Sequence, residues 1–288
     1  MLMKTKIRRI LFGVAIGPLS LSHIVTAAPA PAHAEASQPP PPPVLEGMNY
    51  LTLNRSLEDK YFHEPVGHEL GADDRLGHYD VRYFHGMVTE EERAESLHHM
   101  VIAYLDFFRL NELETWIAHG TLLGWWWNGE LLPWDWDVDT QVLDTTLARM
   151  AREFNRTVTS YVSADAKFKR EYLLDINPWA YFRDRGPGHN IIDARWIDTS
   201  NGLYVDITAL SRFNPSDQPT TWECKNRHRY QTIDLYPLRQ TMFESTPALV
   251  PYMYQDLLVE EYSTKALART DFQNHTWNPI VGQWILTA

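Results

Sequence analysis

Three aspartates, Asp135, Asp137 and Asp139, alternate through Leu132 to Val142 among Trp134, Trp136 and Val138 rather than among small polar residues. Short runs of aromatic and β-branched residues form strands, and a strand directs alternate side chains to opposite faces. Asp137, Asp139 and Gln141 then share one face, while Val138, Thr140 and Val142 point into a core. Carboxylates in such surroundings are partly buried, and buried charge needs a partner. A hard cation relieves their repulsion. Two or three carboxylates suit Mg²⁺ or Mn²⁺, leaving the other positions to water and a phosphate.

The segments around this run predict a mixed α/β domain. Thr89 followed by Glu92 is a helix start signal, and Leu97, Met100, Val101, Tyr104, Leu105 and Phe108 recur at helical spacing, which predicts a helix over 90–112. A second helix is expected after Asp144 as N-cap, and a short apolar one over Leu122 to Trp127. Not all three rings of Trp125, Trp126 and Trp127 can face one way on that helix, so at least one belongs to the core. Strands are expected at Thr115 to Ala118, Val138 to Val142, Tyr172 to Ile176, Ile191 to Ile197 and Leu203 to Leu210. The last two form a hairpin, because Asn201-Gly202 between them supplies the positive φ that a tight turn demands. Leu249, Met253, Leu257, Leu258 and Tyr262 predict a closing helix, interrupted early by Pro251. Tyr61 to Gly86 lacks periodicity and is expected to be an ordered arm.

On the hairpin, Tyr204, Asp206 and Thr208 share a face, so Asp206 can join Asp137 and Asp139 across a sheet. Asp193 and Arg195 share a face of the partner strand. Arg195 can neutralise a phosphate, or it can pair with an aspartate of its own hairpin. His119-Gly120-Thr121 lies where a strand gives way to a helix, a place where backbone amides approach an anion.

The 288 residues are 44% hydrophobic, enough for a sizeable core, and the net charge of -11 argues against nucleic acid as a partner. Lys4, Lys6, Arg8 and Arg9 precede an apolar run, so residues 1–30 are expected to be a signal peptide or a signal anchor. Residues 31–44 read as a Pro/Ala-rich linker ending in Pro39 to Pro43, and 45–288 as one catalytic domain. Sequons at Asn54, Asn155 and Asn274 are compatible with the secretory pathway, and one cysteine, Cys224, excludes both an internal disulfide and a Cys-based zinc site.

Together these blocks resemble the LicD family of phosphotransferases, its fungal branch most closely. The resemblance is carried by Trp116 to Gly129, Leu132 to Asp139, Ile191 to Asp198, Gly202 to Thr208, Cys224 to His228 and Tyr236-Pro237-Leu238, with an upstream extension at Lys60 to Glu64 and Gly77 to Arg82. It implies a nucleotidyltransferase-like fold with an N-terminal helical arm. Either Asp137 with Asp139 or Asp135 with Asp137 forms the metal pair, and Asp206 is the third carboxylate. It further implies catalytic roles for Asp137, Asp139, Asp206 and Arg195. Donor contacts are expected at His119, Gly120, Thr121, Gly124, Trp134 and Asp193. The implied donors are GDP-mannose or a CDP-alcohol, and the implied acceptor is a glycan in the Golgi lumen or a secreted setting. Membrane contact is expected only through an N-terminal anchor.

Overall fold

A computed structural model describes residues 59–65 and 74–287, all within the unit Pro40–Ala288. The expected signal segment, the linker and the Asn54 sequon lie outside the described residues.

Helix α1 (Glu90–Leu110) begins as its sequence demands, with Thr89 as N-cap accepting a 3.2 Å hydrogen bond from the Glu92 amide. Its apolar stripe from Leu97 to Phe108 is buried against the sheet. Each large side chain so enclosed contributes about 1.5–3 kcal/mol. The Tyr104 hydroxyl, 2.8 Å from Thr115 Oγ1 and 2.9 Å from Thr140 Oγ1, fixes the height of the helix on the sheet.

The main sheet contains β1 (Trp116–Ile117), β2 (Val138–Leu143), β3 (Thr157–Val162), β4 (Lys169–Ile176), β5 (Ala194–Asp198) and β6 (Tyr204–Arg212), in the order β1-β2-β6-β5-β4-β3. The neighbours β2 and β6 run parallel, and the other pairs along this path run antiparallel. Helix α2 (His119–Asn128) links β1 to β2, and α3 (Asp144–Glu153) follows β2. Short strands β7 (Thr221–Glu223) and β8 (Arg229–Gln231) extend β6. Then come α4 (Thr232–Leu235), the hairpin β9 (Arg239–Phe243) and β10 (Thr246–Val250), α5 (Tyr254–Ala266), and a small sheet of β11 (Asp271–Phe272), β12 (His275–Asn278) and β13 (Gln283–Leu286).

The β5–β6 hairpin forms on the turn that Asn201-Gly202 predicts. Gly202 has φ +87°, and a Cβ there would stand 3.0 Å from the Asp80 carbonyl, so only glycine fits. The same Asp80 donates its amide to the Gly202 carbonyl at 2.7 Å, which ties the arm to the turn. The arm is ordered where described, with Phe62, Tyr79 and Asp80 buried, and its helical part there is the 3-10 turn Asp74–His78.

Four expectations change. The strand predicted from Ile191 starts at Ala194, and α2 begins at His119 rather than Leu122. Asp144 is the first helical residue of α3, with Leu143 as N-cap. Leu249 belongs to β10, not to the closing helix, because the turn Glu244-Ser245 takes two positive φ values without glycine and folds the chain back.

Candidate functional site

Residues Asp139 on β2 and Asp206 on β6 are direct register partners across the parallel pair. On β2, Val138, Thr140 and Val142 are buried as alternation requires. The backbone of Asp139 is fixed at both ends of the peptide: its amide donates to Thr121 Oγ1 at 2.8 Å, and its carbonyl accepts from the Ala118 amide at 3.1 Å. No hydrogen bond reaches its carboxylate from the described residues. Burial, followed by the charge of Asp137, pushes that carboxylate well above its ordinary pKa, with Asp206 adding to the shift and His119 opposing it. Burial likewise raises Asp206, although the Arg195 guanidinium opposes the shift. Asp135, in the turn before β2, is pushed up to about 7 by burial and by Asp137.

Two clefts meet at this seam. One, of about 590 Å³, is lined by Gly120, Asp135, Asp137 and Asp139, by the aromatic rings of Trp127, Trp134, Phe272 and Trp284, and by Lys265 and Arg269 at and beyond the end of α5. The other, of about 260 Å³, is lined by Lys60, Phe62, Glu64 and His78 of the arm together with Asp137, Arg195 and Asp206. Asp137 borders both. Its side chain is 41% exposed, with Oδ2 3.7 Å from His78 Nδ1. Gly120 borders the first cleft beside Asp135, where a Cβ would make only ordinary contact, 3.6 Å from Asp135 Oδ2.

Arg195 takes the hairpin ion pair. Its Nε donates to Asp206 Oδ1 at 2.8 Å and its Nη2 to Glu64 Oε1 at 2.7 Å, while its guanidinium stacks 3.6 Å from the centre of the Tyr204 ring. The arm residue Glu64 and the sheet residue Asp206 therefore share one cation.

Three expected donor contacts are architectural instead. Asp193 is fully enclosed and accepts from Arg183 at 2.9 Å, Lys225 at 3.0 Å and the Ala209 amide at 2.8 Å, which occupies the carboxylate. Gly124 is buried where a Cβ would stand 2.5 Å from the Glu130 carbonyl, so it permits close backbone packing rather than ligand contact. Thr121 is buried under Asp139 and acts on its backbone. A fourth, His119, turns into a separate cavity. Trp134 and Gly120 do line the aspartate cleft. Of the three tryptophans, Trp125 and Trp126 pack on the core and Trp127 faces the cleft.

Sequence reasoning missed Lys265 and Arg269 as cleft cations, although their spacing of four residues near a helix end was visible. It also missed His78, which sits in the arm block Gly77 to Arg82.

Residues 112–253 match the family described as LicD/FKTN/FKRP, nucleotidyltransferase domain. Over 215 residues, 73% of this chain, the sequence is 31% identical to Mannosyltransferase regulator 4 of Saccharomyces cerevisiae, and over 161 residues, 54% of the chain, it is 32% identical to Mannosyltransferase regulator 14 of the same yeast. Those stretches are 18% and 17% of the two yeast proteins, so the chain spans less than a fifth of the length of the relatives it matches. The central part of the chain is a LicD-family domain, and up to 73% of the chain is similar to this fungal group.

Proposed function

We propose that this LicD-family chain transfers a phosphate-linked group, with mannose 1-phosphate from GDP-mannose as the leading candidate, from a nucleotide donor to a glycan hydroxyl in the secretory pathway. One observation carries the reading: Asp206, distant in sequence, is brought beside Asp137 and Asp139 where an aromatic, cationic cleft borders a polar one.

Asp137, Asp139 and Asp206 are oxygen donors of the kind a hard divalent cation takes, and an ion would draw their side chains closer together, since they do not already stand within 4.8 Å of one another. Asp139 offers a carboxylate with no hydrogen-bond donor among the described residues, facing two further carboxylates, an arrangement that costs free energy unless a positive charge joins it. Mg²⁺ or Mn²⁺ held by Asp137, Asp139 and Asp206 would supply charge neutralisation for a diphosphate, with Asp135 beside them at the rim.

In this reading the larger cleft takes the donor. Trp127, Trp134 and Trp284 give flat surfaces for a base or sugar, and Lys265 and Arg269 attract phosphate oxygens. The smaller cleft takes the glycan, whose hydroxyl oxygen bonds to the sugar-bearing phosphorus as the bridging P–O bond breaks and a nucleoside monophosphate leaves. The hydroxyl proton passes to Asp137 or Asp206, which both line that cleft. Arg195 serves by holding Asp206 in place.

A regulatory reading is favoured by one observation, that both yeast relatives are named regulators. Incubating the purified chain with GDP-mannose, Mn²⁺ and a mannose oligosaccharide separates the readings. Phosphotransfer releases GMP and leaves mannosyl phosphate on the acceptor, and Asp139→Asn removes both products. Release of GDP with no phosphate on the acceptor identifies an ordinary glycosyltransferase, and donor binding without turnover supports a regulator.

A further inference from the structure

The pair His119 and His228 meets Glu261 in a cavity of about 660 Å³ whose lining includes none of Asp137, Asp139 and Asp206. We infer that His119, His228 and Glu261 form a second cation site, chemically distinct from the aspartate seam and suited to Zn²⁺ or Co²⁺.

The three side chains come from α2, the loop before β8, and α5, and one ligand atom from each lies within 4.8 Å of the others. Two imidazoles and a carboxylate with a fourth position open to a cavity make a donor set for a borderline ion rather than for Mg²⁺. Tetrahedral ligands about 2.0–2.2 Å from zinc stand roughly 3.3–3.5 Å apart, so modest adjustments complete the site. Local structure aims the rings. His119 begins α2 with φ +51°, a left-handed value rare for a residue with a side chain, and this conformation turns its imidazole toward Glu261. His228 has Nδ1 3.7 Å from Cys224 Sγ, and among the described residues no hydrogen bond reaches its Nε2, which is left to bind. The two rings lie 4.7 Å apart, centre to centre.

Without an ion the cluster closes on a proton. Trp116 Nε1, a donor only, reaches Gln141 Oε1 at 3.1 Å, which orients the amide so that its Nε2 faces His119 Nε2 at 3.3 Å. The His119 ring proton therefore sits on Nδ1 and is donated to Glu261 Oε1 at 2.7 Å. A cation replaces that proton, moves the ring N–H to Nε2, and requires the Gln141 amide to present its oxygen. Gln141→Glu supplies that acceptor outright and still receives the Trp116 donor, while the Tyr230 hydroxyl, which accepts from Gln141 Nε2 at 3.2 Å, turns to donate instead.

The test is a Co²⁺ titration of the metal-stripped full chain, read by visible absorption, with Zn²⁺ as competitor. One Co²⁺ per chain with strong tetrahedral-type bands is expected. The bands disappear in His228→Ala and in Glu261→Gln, persist in Asp139→Asn, and appear at about tenfold lower Co²⁺ in Gln141→Glu. Glu261 is partly exposed, so its variant keeps the test valid if His228→Ala fails to fold. Absent bands in both wild type and Gln141→Glu, or bands that survive in Glu261→Gln, overturn the site. Unchanged affinity in Gln141→Glu overturns the assignment of Nδ1 as the ligand atom. Loss of the bands in Asp139→Asn alone places the ion at the aspartate seam and also overturns it, while leaving the proposed function standing.

Discussion

Asp193, fully buried just before β5, and Asp139, half-buried on β2 at the cleft, are both acidic, yet their surroundings are opposite. Asp193 is held by two cations and a backbone amide, and its charge is matched within the fold. Asp139 faces Asp137 and Asp206, and no donor among the described residues reaches its carboxylate. A matched buried charge joins strands and loops. An unmatched one is tolerated only where something else arrives to complete it, and that contrast separates architecture from site.

Removing each charge should therefore move stability in opposite directions. Asp193→Asn leaves Arg183 and Lys225 facing a neutral amide, and urea unfolding should record a loss of about 3–5 kcal/mol. A loss under about 1 kcal/mol would mean the node is not matched charge. Asp139→Asn removes repulsion, so in EDTA the same measurement should show a gain, and a loss would erase the contrast.

The smallest effect belongs to Asp135, between these extremes. Its pKa is raised in the folded protein from 3.8 to about 7, so its stabilising contribution is complete below about pH 4 and is lost as pH rises through about 7. In the metal-free protein, Asp135→Asn should flatten that slope and gain about 1 kcal/mol at pH 8, discounted because solvent still reaches the carboxylate. An unchanged slope would place its protonation elsewhere.

The pairing of Asp139 with Asp206 was legible in the sequence, because the short strand beginning at Val138 and the Asn201-Gly202 turn both form at short range, whereas Trp134 to Asp137 precede the strand and Gln141 is buried toward another cavity. Helix α1 was legible for the same reason, through Thr89 and a regular stripe. The matched state of Asp193 was not, since Arg183 lies in one loop and Lys225 in another, and ion pairing across loops leaves no periodic trace. The helix predicted through Leu249 failed because Leu249, Met253 and Leu257 are spaced by four, while the turn that makes β10 uses Glu244 and Ser245 in conformations that favour glycine. Glu244 compensates by accepting from the Leu131 amide at 2.6 Å and pairing with His98 at 2.5 Å, contacts that only the folded chain creates. The direction of His119, toward Glu261, was not legible because it depends on one backbone angle.

Mn²⁺ titration of the full chain, followed by the loss of the free-ion electron paramagnetic resonance signal, tests the convergence of the carboxylates most directly. One Mn²⁺ per chain should bind to wild type, and both Asp139→Asn and Asp206→Asn should abolish it while His228→Ala leaves it intact. Equal binding in wild type and the two aspartate variants would contradict the account, and Asp139 and Asp206 would then be neighbours in register without a shared ion.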